Sequence, residues 1–146
     1  MKKSKDLEFI NRVQKSFHQQ KFMDFIGAKL TRIKSGFCEI QVPYRKELTQ
    51  QNEFFHAGIV GTLADNAGGY AAYSLMNPDD SVLTVEYKLN LLSPARGELL
   101  IARSKVLKAG KTLTVCFSEV FVKNKKEEKL CATALVTLIA LKANSI

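Results

Sequence analysis

Cysteine, proline and glycine are all scarce in this chain of 146 residues, with three Cys, three Pro and eight Gly. So few Pro and Gly exclude a collagen-like or linker-rich chain, and 46% hydrophobic with 25% charged residues excludes disorder. Cys38, Cys116 and Cys131 are odd in number and far apart. That excludes a disulfide-built scaffold, and without CxxC or Cys/His spacing no metal site is expected. Reduced, buried thiols suit a cytoplasmic protein. The N-terminus carries Lys2, Lys3 and Lys5, then Asp6 and Glu8, and has no apolar stretch of signal-peptide type. Repeats and low-complexity tracts are absent, and the length predicts one domain over 1–146.

What is present in excess is positive charge, 22 Lys/Arg against 14 Asp/Glu. Residues 1–34 hold nine of those bases and three acids, Asp6, Glu8 and Asp24. Such a balance favours anionic partners. Nucleic-acid binding would rest on charge alone, without interleaved aromatics, and is not expected.

The pattern predicts an amphipathic helix over 7–22, with Ile10, Val13 and Phe17 at helical spacing. Strands are predicted over 24–34 and 37–43 around a turn at Ser35-Gly36. Residues 56–76 contain one charge, long enough to raise a membrane span. Asp65, Asn66, four Gly and five Ala argue instead for a core helix of small side chains that a sheet can approach closely. Strands follow over 82–92, 98–107, 112–122 and 129–141. In 82–92, Leu83, Val85, Tyr87, Leu89 and Leu91 alternate with polar residues, predicting a half-buried strand. Short connections predict that these last four strands are antiparallel neighbours. The expected fold is α+β, an antiparallel sheet of five to six strands around one long helix, with residues 1–21 as an N-terminal helical extension. Its open face and edges press toward self-association.

Asp65 is the residue that most demands a role. A carboxylate inside a buried helix is costly unless paired, and no Lys or Arg occurs between Lys46 and Lys88. It either bonds a neighbouring group or acts as a general base or nucleophile. His56 precedes the helix, and the N–H groups of Ala57 and Gly58 would lie at its N-terminus, where donors lack partners and the dipole end is positive. Such amides can hold an oxyanion; His56, which opens them, is counted with the candidate catalytic residues, though alone it reads as a cap. Asp65 lies eight residues past Ala57, about 12 Å along the axis. One chain therefore cannot bring both to one carbonyl, and joint action requires a two-fold dimer.

These residues, with Thr84-Val85-Glu86-Tyr87-Lys88-Leu89 leading to Pro94-Ala95 and with Lys108-Ala109-Gly110-Lys111-Thr112-Leu113, resemble the hotdog-fold acyl-CoA thioesterases. The similar branch is that of the phenylacetate-pathway (PaaI-type) and 4-hydroxybenzoyl-CoA enzymes, and the resemblance spans about residues 22–141. It implies Asp65 as base or nucleophile, Ala57 N–H polarising the thioester carbonyl with help from Gly58, Gln50 orienting the acyl end or water, and Thr84 assisting the water. It implies further that Glu86, Arg96 and the hairpin Lys108, Ala109, Gly110, Lys111, Thr112 and Leu113 contact CoA, whose phosphates want cations. Ala57 stands where the family has Gly. CoA enters as part of the substrate, with no other cofactor. The implied assembly is a homodimer and a dimer of dimers, with no nucleic-acid or membrane partner. The implied activity is hydrolysis of an acyl-CoA to acid and CoA; the alternative is a non-catalytic acyl-CoA or acyl-carrier binder on the same fold. A hotdog dehydratase fits poorly, because His56 is badly placed for that chemistry.

Overall fold

The computed structural model describes residues 2–143, with side chains from residue 8 onward. Lys2, Lys3, Lys5 and Asp6, part of the N-terminal charge excess, therefore have side chains outside the described residues. Helix α1 (Lys2–Gln19) leads to a one-turn helix α2 (Lys21–Phe25), then strands β1 (Lys29–Lys34) and β2 (Phe37–Pro43). A 3₁₀ turn (Lys46–Leu48) precedes helix α3 (Ala57–Tyr73), and β3 (Ser81–Leu91), β4 (Leu99–Ala109), β5 (Leu113–Asn124) and β6 (Glu127–Leu141) complete the chain. Among the described residues no helix is long and apolar enough to cross a membrane.

All six strands form one antiparallel sheet, in the order β1-β2-β4-β5-β6-β3. It wraps around α3, which packs against β2 through β6, and α1 adds the expected N-terminal helix. Small residues make the wrap possible. A Cβ on Gly68 would lie 3.1 Å from Val136 of β6. The inner face is buried through Ile40, Leu100, Ala102, Val120, Ala134 and Val136. Ser118 Oγ donates to the Ala64 carbonyl at 2.8 Å, tying β5 to the helix.

Three expectations are corrected. Residues 24–28 are not strand: Met23 and Ile26 are buried three apart while Phe22 and Phe25 are exposed, the spacing of a helical turn, which Gly27 (φ 73) ends. Nor are the last four strands all neighbours. β4, β5 and β6 form a meander, but β3 pairs with β6 and β4 with β2. The connection 92–98 crosses the open end of the sheet, where Phe55 N–H donates to Ala95 O at 2.9 Å. Finally, β3 is not half-buried. It is an edge strand, with Leu83 54%, Val85 55%, Tyr87 46% and Leu91 56% exposed.

Helix α1 contributes more than cover. Val13 and Phe17 enter the core. The Arg12 guanidinium donates to the carbonyls of Tyr73, Met76 and Asn77 at 3.1, 2.9 and 2.6 Å. A cation on these carbonyls satisfies the last acceptors of α3 and complements its negative end.

Candidate active site

Local structure at the start of α3 follows from His56. It is the N-cap in extended conformation (φ −60°, ψ 139°), and its Nδ1 accepts from Gly58 N–H at 2.8 Å. A Cβ at Gly58 would lie 3.0 Å from that nitrogen, so a larger residue there would crowd the cap by a few tenths of an ångström. The Gly58 N–H, expected as a second oxyanion donor, is thus already taken. Ala57, the first helical residue, is exposed, and its N–H finds no acceptor among the described residues. Among the described residues, positive φ outside glycine occurs only at Glu53 and Lys125, so alanine at 57 is unstrained.

This open amide faces a cleft of about 490 Å³ lined by Gln50, Phe54, Phe55, Val60, Leu91, Pro94 and Cys131 among others. Gln50 is held by its own loop: its N–H donates to Phe54 O at 3.0 Å, and its side-chain oxygen accepts from Asn52 N–H. Cys131 is buried, and burial pushes its thiol up to about 11, which makes it a wall and not a nucleophile.

Asp65 lies elsewhere. Far from being sealed in an apolar helix, it is half-buried, on a polar stripe of α3 with Thr62, Asn66 and Gly69. Its Oδ1 accepts from Thr84 Oγ1 at 2.7 Å. Burial raises the carboxyl above its usual range, and the Thr84 hydrogen bond partly opposes this. Asp65 and Thr84 line a second cavity of about 290 Å³ with Ser16, Gln20, Asn66, Gly69 and Tyr70.

A β-bulge aims Thr84. The register of β3 against β6 shifts between Thr84 and Glu86. In regular pleating Thr84 and Tyr87 would face opposite sides. The extra residue turns both toward α3, where Tyr87 would meet a Cβ on Gly61 at 3.2 Å.

The six residues expected at the reacting centre thus divide in two. Gln50, His56, Ala57 and Gly58 gather at the start of α3, and Asp65 and Thr84 sit about 12 Å further along it. The residues expected to hold CoA are scattered within the chain. Arg96 lies by Phe54, its guanidinium 6.0 Å from the ring centre, in the connection just before β4. The hairpin of Lys108, Ala109, Gly110, Lys111, Thr112 and Leu113 closes the other end of β4, about 33 Å away. That hairpin is exposed, and its Gly110 N–H donates to Leu113 O at 2.8 Å. Glu86 points away from α3, on the outer sheet face opposite to Tyr87. Among the described residues no group of three His, Cys, Asp or Glu could hold a metal ion.

The sequence singles out neither Ser16 nor Gln20, and offers Tyr70 only as a wall of the acyl pocket, with Phe54, Phe55 and Tyr73. Gln20 Nε2 donates to Tyr70 Oη at 2.5 Å, and Ser16 Oγ lies 3.3 Å from the same oxygen. The four-residue spacing of Ser16 and Gln20 placed them on one face, but nothing in the sequence tied that face to α3.

Comparison with known proteins bears on this geometry. Residues 52–129 match the thioesterase superfamily. A crystal structure of a thioesterase family protein from Silicibacter pomeroyi is 44% identical, with a TM-score of 0.90 over 92% of this chain and 98% of that one. Human acyl-coenzyme A thioesterase 13 is 29% identical over 84% of this chain and 88% of its own length. The E. coli PaaI protein of the phenylacetic acid degradation operon shares the fold at 17% identity, with a TM-score of 0.83 over 93% and 95% of the two chains.

Proposed function

The chain belongs to the thioesterase superfamily and is a thioester hydrolase; on that premise we propose that it cleaves an acyl-CoA to free acid and CoA in a centre shared by two protomers. The observation that carries the proposal is the division of α3: an open amide at Ala57, and a carboxylate with raised pKa about 12 Å along the same helix. A second copy aligned antiparallel would bring its Ala57 to this chain's Asp65. The exposed apolar edge of β3, at Leu83, Val85, Tyr87 and Leu91, offers the seam.

In that centre the Ala57 N–H of one protomer polarises the thioester carbonyl. Asp65 of the other, held by Thr84, takes the proton of a water that adds to the carbonyl carbon. The oxyanion collapses, the C–S bond breaks and the CoA sulfur leaves, taking up the proton. If Asp65 attacks directly, an acyl anhydride forms first and water then clears it; both routes need the ionised carboxylate. Gln50 orients the acyl end or the water from the amide side. Arg96 of one protomer and the Lys108–Leu113 hairpin of the other would meet the nucleotide and phosphates. CoA arrives within the substrate and no further cofactor is needed. Outer faces of two such dimers would stack into a tetramer, and the three buried free cysteines suit the cytoplasm.

The test is a panel of short, medium, long and aromatic acyl-CoAs followed by thiol release. Turnover that Asp65→Asn abolishes while CoA-ester binding survives is the expected result. Saturable binding with no thiol release from any ester would instead make the protein a binder.

A further inference from the structure

The cavity that holds Asp65 differs from the apolar cleft in having hydrogen-bonding groups at its far end that no step of hydrolysis uses. Tyr70 is 3% exposed, yet its hydroxyl faces this cavity and meets Gln20 Nε2 at 2.5 Å and Ser16 Oγ at 3.3 Å. Asn66, also lining the cavity, donates to Thr62 O at 3.2 Å and leaves its side-chain oxygen open. Gln20 keeps a second N–H and its own oxygen. None of the lining residues is Lys, Arg or His, and the one charged group is Asp65.

We propose that Ser16, Gln20 and Tyr70, joined here because α1 packs on α3, form a subsite for a neutral hydroxyl or carbonyl at the far end of the acyl group. This rests on the hydrolase reading and adds the substrate's chemistry to it. Within one protomer a cavity of about 290 Å³ joins Asp65 to Tyr70. Tyr70 lies five residues beyond Asp65, about 7.5 Å along α3, close to the reach of an extended six-carbon acyl chain. A carboxylate there would be buried beside Asp65 without a cation and is rejected. A plain alkyl end fits but gives no partner to the second N–H and the oxygen of Gln20 or to the open oxygen of Asn66. The residues are specificity-determining, and they act on the acyl end, not on the reacting carbonyl.

The experiment compares hexanoyl-CoA, 6-hydroxyhexanoyl-CoA and adipyl-CoA, equal in chain length, by kcat/KM for thiol release. The intact protein should favour the hydroxy ester over hexanoyl by about three- to tenfold and disfavour adipyl most. Tyr70→Phe, which keeps the ring in the core, should bring the hydroxy preference to within about twofold of unity. Gln20→Lys, which sets a cation in the cavity, should raise the adipyl-to-hexanoyl ratio by about tenfold or more. A hydroxy preference that is absent in the intact protein, or unmoved by Tyr70→Phe, overturns the subsite while hydrolysis of hexanoyl-CoA leaves the enzyme standing. No release from any of the three esters overturns both.

Discussion

The two cavities beside α3 are built to opposite specifications. The cleft at the helix start has an open backbone amide, aromatic and aliphatic walls, and neither a carboxylate nor a cation in its lining. The cavity midway has Asp65, Thr84 and a row of hydrogen-bonding side chains. One can stabilise developing negative charge and the other can move a proton. Thioester hydrolysis needs both within about 3 Å of one carbonyl. On the proposed mechanism this separation makes each chain carry two half-sites, and gives the edge strand β3 beside them a part in the chemistry as well as in the fold.

Substitutions can break either half alone. Asp65→Asn should cost the most, lowering kcat at least about 10²-fold with little change in acyl-CoA affinity, as steady-state kinetics and calorimetry would read. Ala57→Pro removes the open N–H at the first helical position, where proline is well tolerated and where His56 already has the extended backbone that proline requires before it. It should cost about 10²-fold in kcat with the melting temperature nearly unchanged. Thr84→Val should cost about tenfold. With its opposing hydrogen bond gone, burial would push the Asp65 carboxyl higher still, so the acid limb of kcat/KM should move to higher pH. A limb that stays in place would detach Thr84 from Asp65.

The smallest effect on catalysis should come from the outer sheet face. There Glu39, 4% exposed, accepts from Arg103 Nε at 2.7 Å, and Arg103 also pairs with Glu128 at 2.7 Å. Burial pulls the Glu39 carboxyl up, but Arg103, Thr31 and Gln41 together hold it below the usual range. Arg103 lowers Glu128 as well. Groups with depressed native pKa contribute stability that is full above about pH 4.3 and is lost as pH falls through the native value. Glu39→Gln should therefore flatten the loss of stability below pH 4 in denaturant titrations and leave kcat near that of the intact enzyme.

Much of this comparison was legible in advance. The small residues of 56–76 announced a helix that a sheet must approach closely, and the eight-residue gap from Ala57 to Asp65 already set the amide and the carboxylate apart, as the two cavities do. What was hidden depended on contacts distant in sequence. The bulge at Val85 reverses the face of half a strand, so perfect alternation on paper pointed Thr84 the wrong way. Seven residues, 92–98, look like a hairpin loop, yet they suffice to carry the chain across the sheet's mouth from β3 to β4. Met23 and Ile26 at helical spacing were masked by the apolar Phe22 and Phe25 around them. The position of α1 over the Asp65 cavity rests on Arg12 reaching carbonyls more than 60 residues away.

Mixing the two catalytic knock-outs tests the shared centre most directly. Asp65→Asn and Ala57→Pro protomers, each inactive alone, should on subunit exchange form mixed dimers with one intact site, since the intact Asp65 and the intact Ala57 amide then face each other. Thiol release should return to about a quarter of the activity of the intact protein, the share set by random pairing in a two-fold dimer. If exchange is complete and no activity returns, Asp65 and Ala57 do not serve one carbonyl across the seam, and the two half-sites are not parts of one centre.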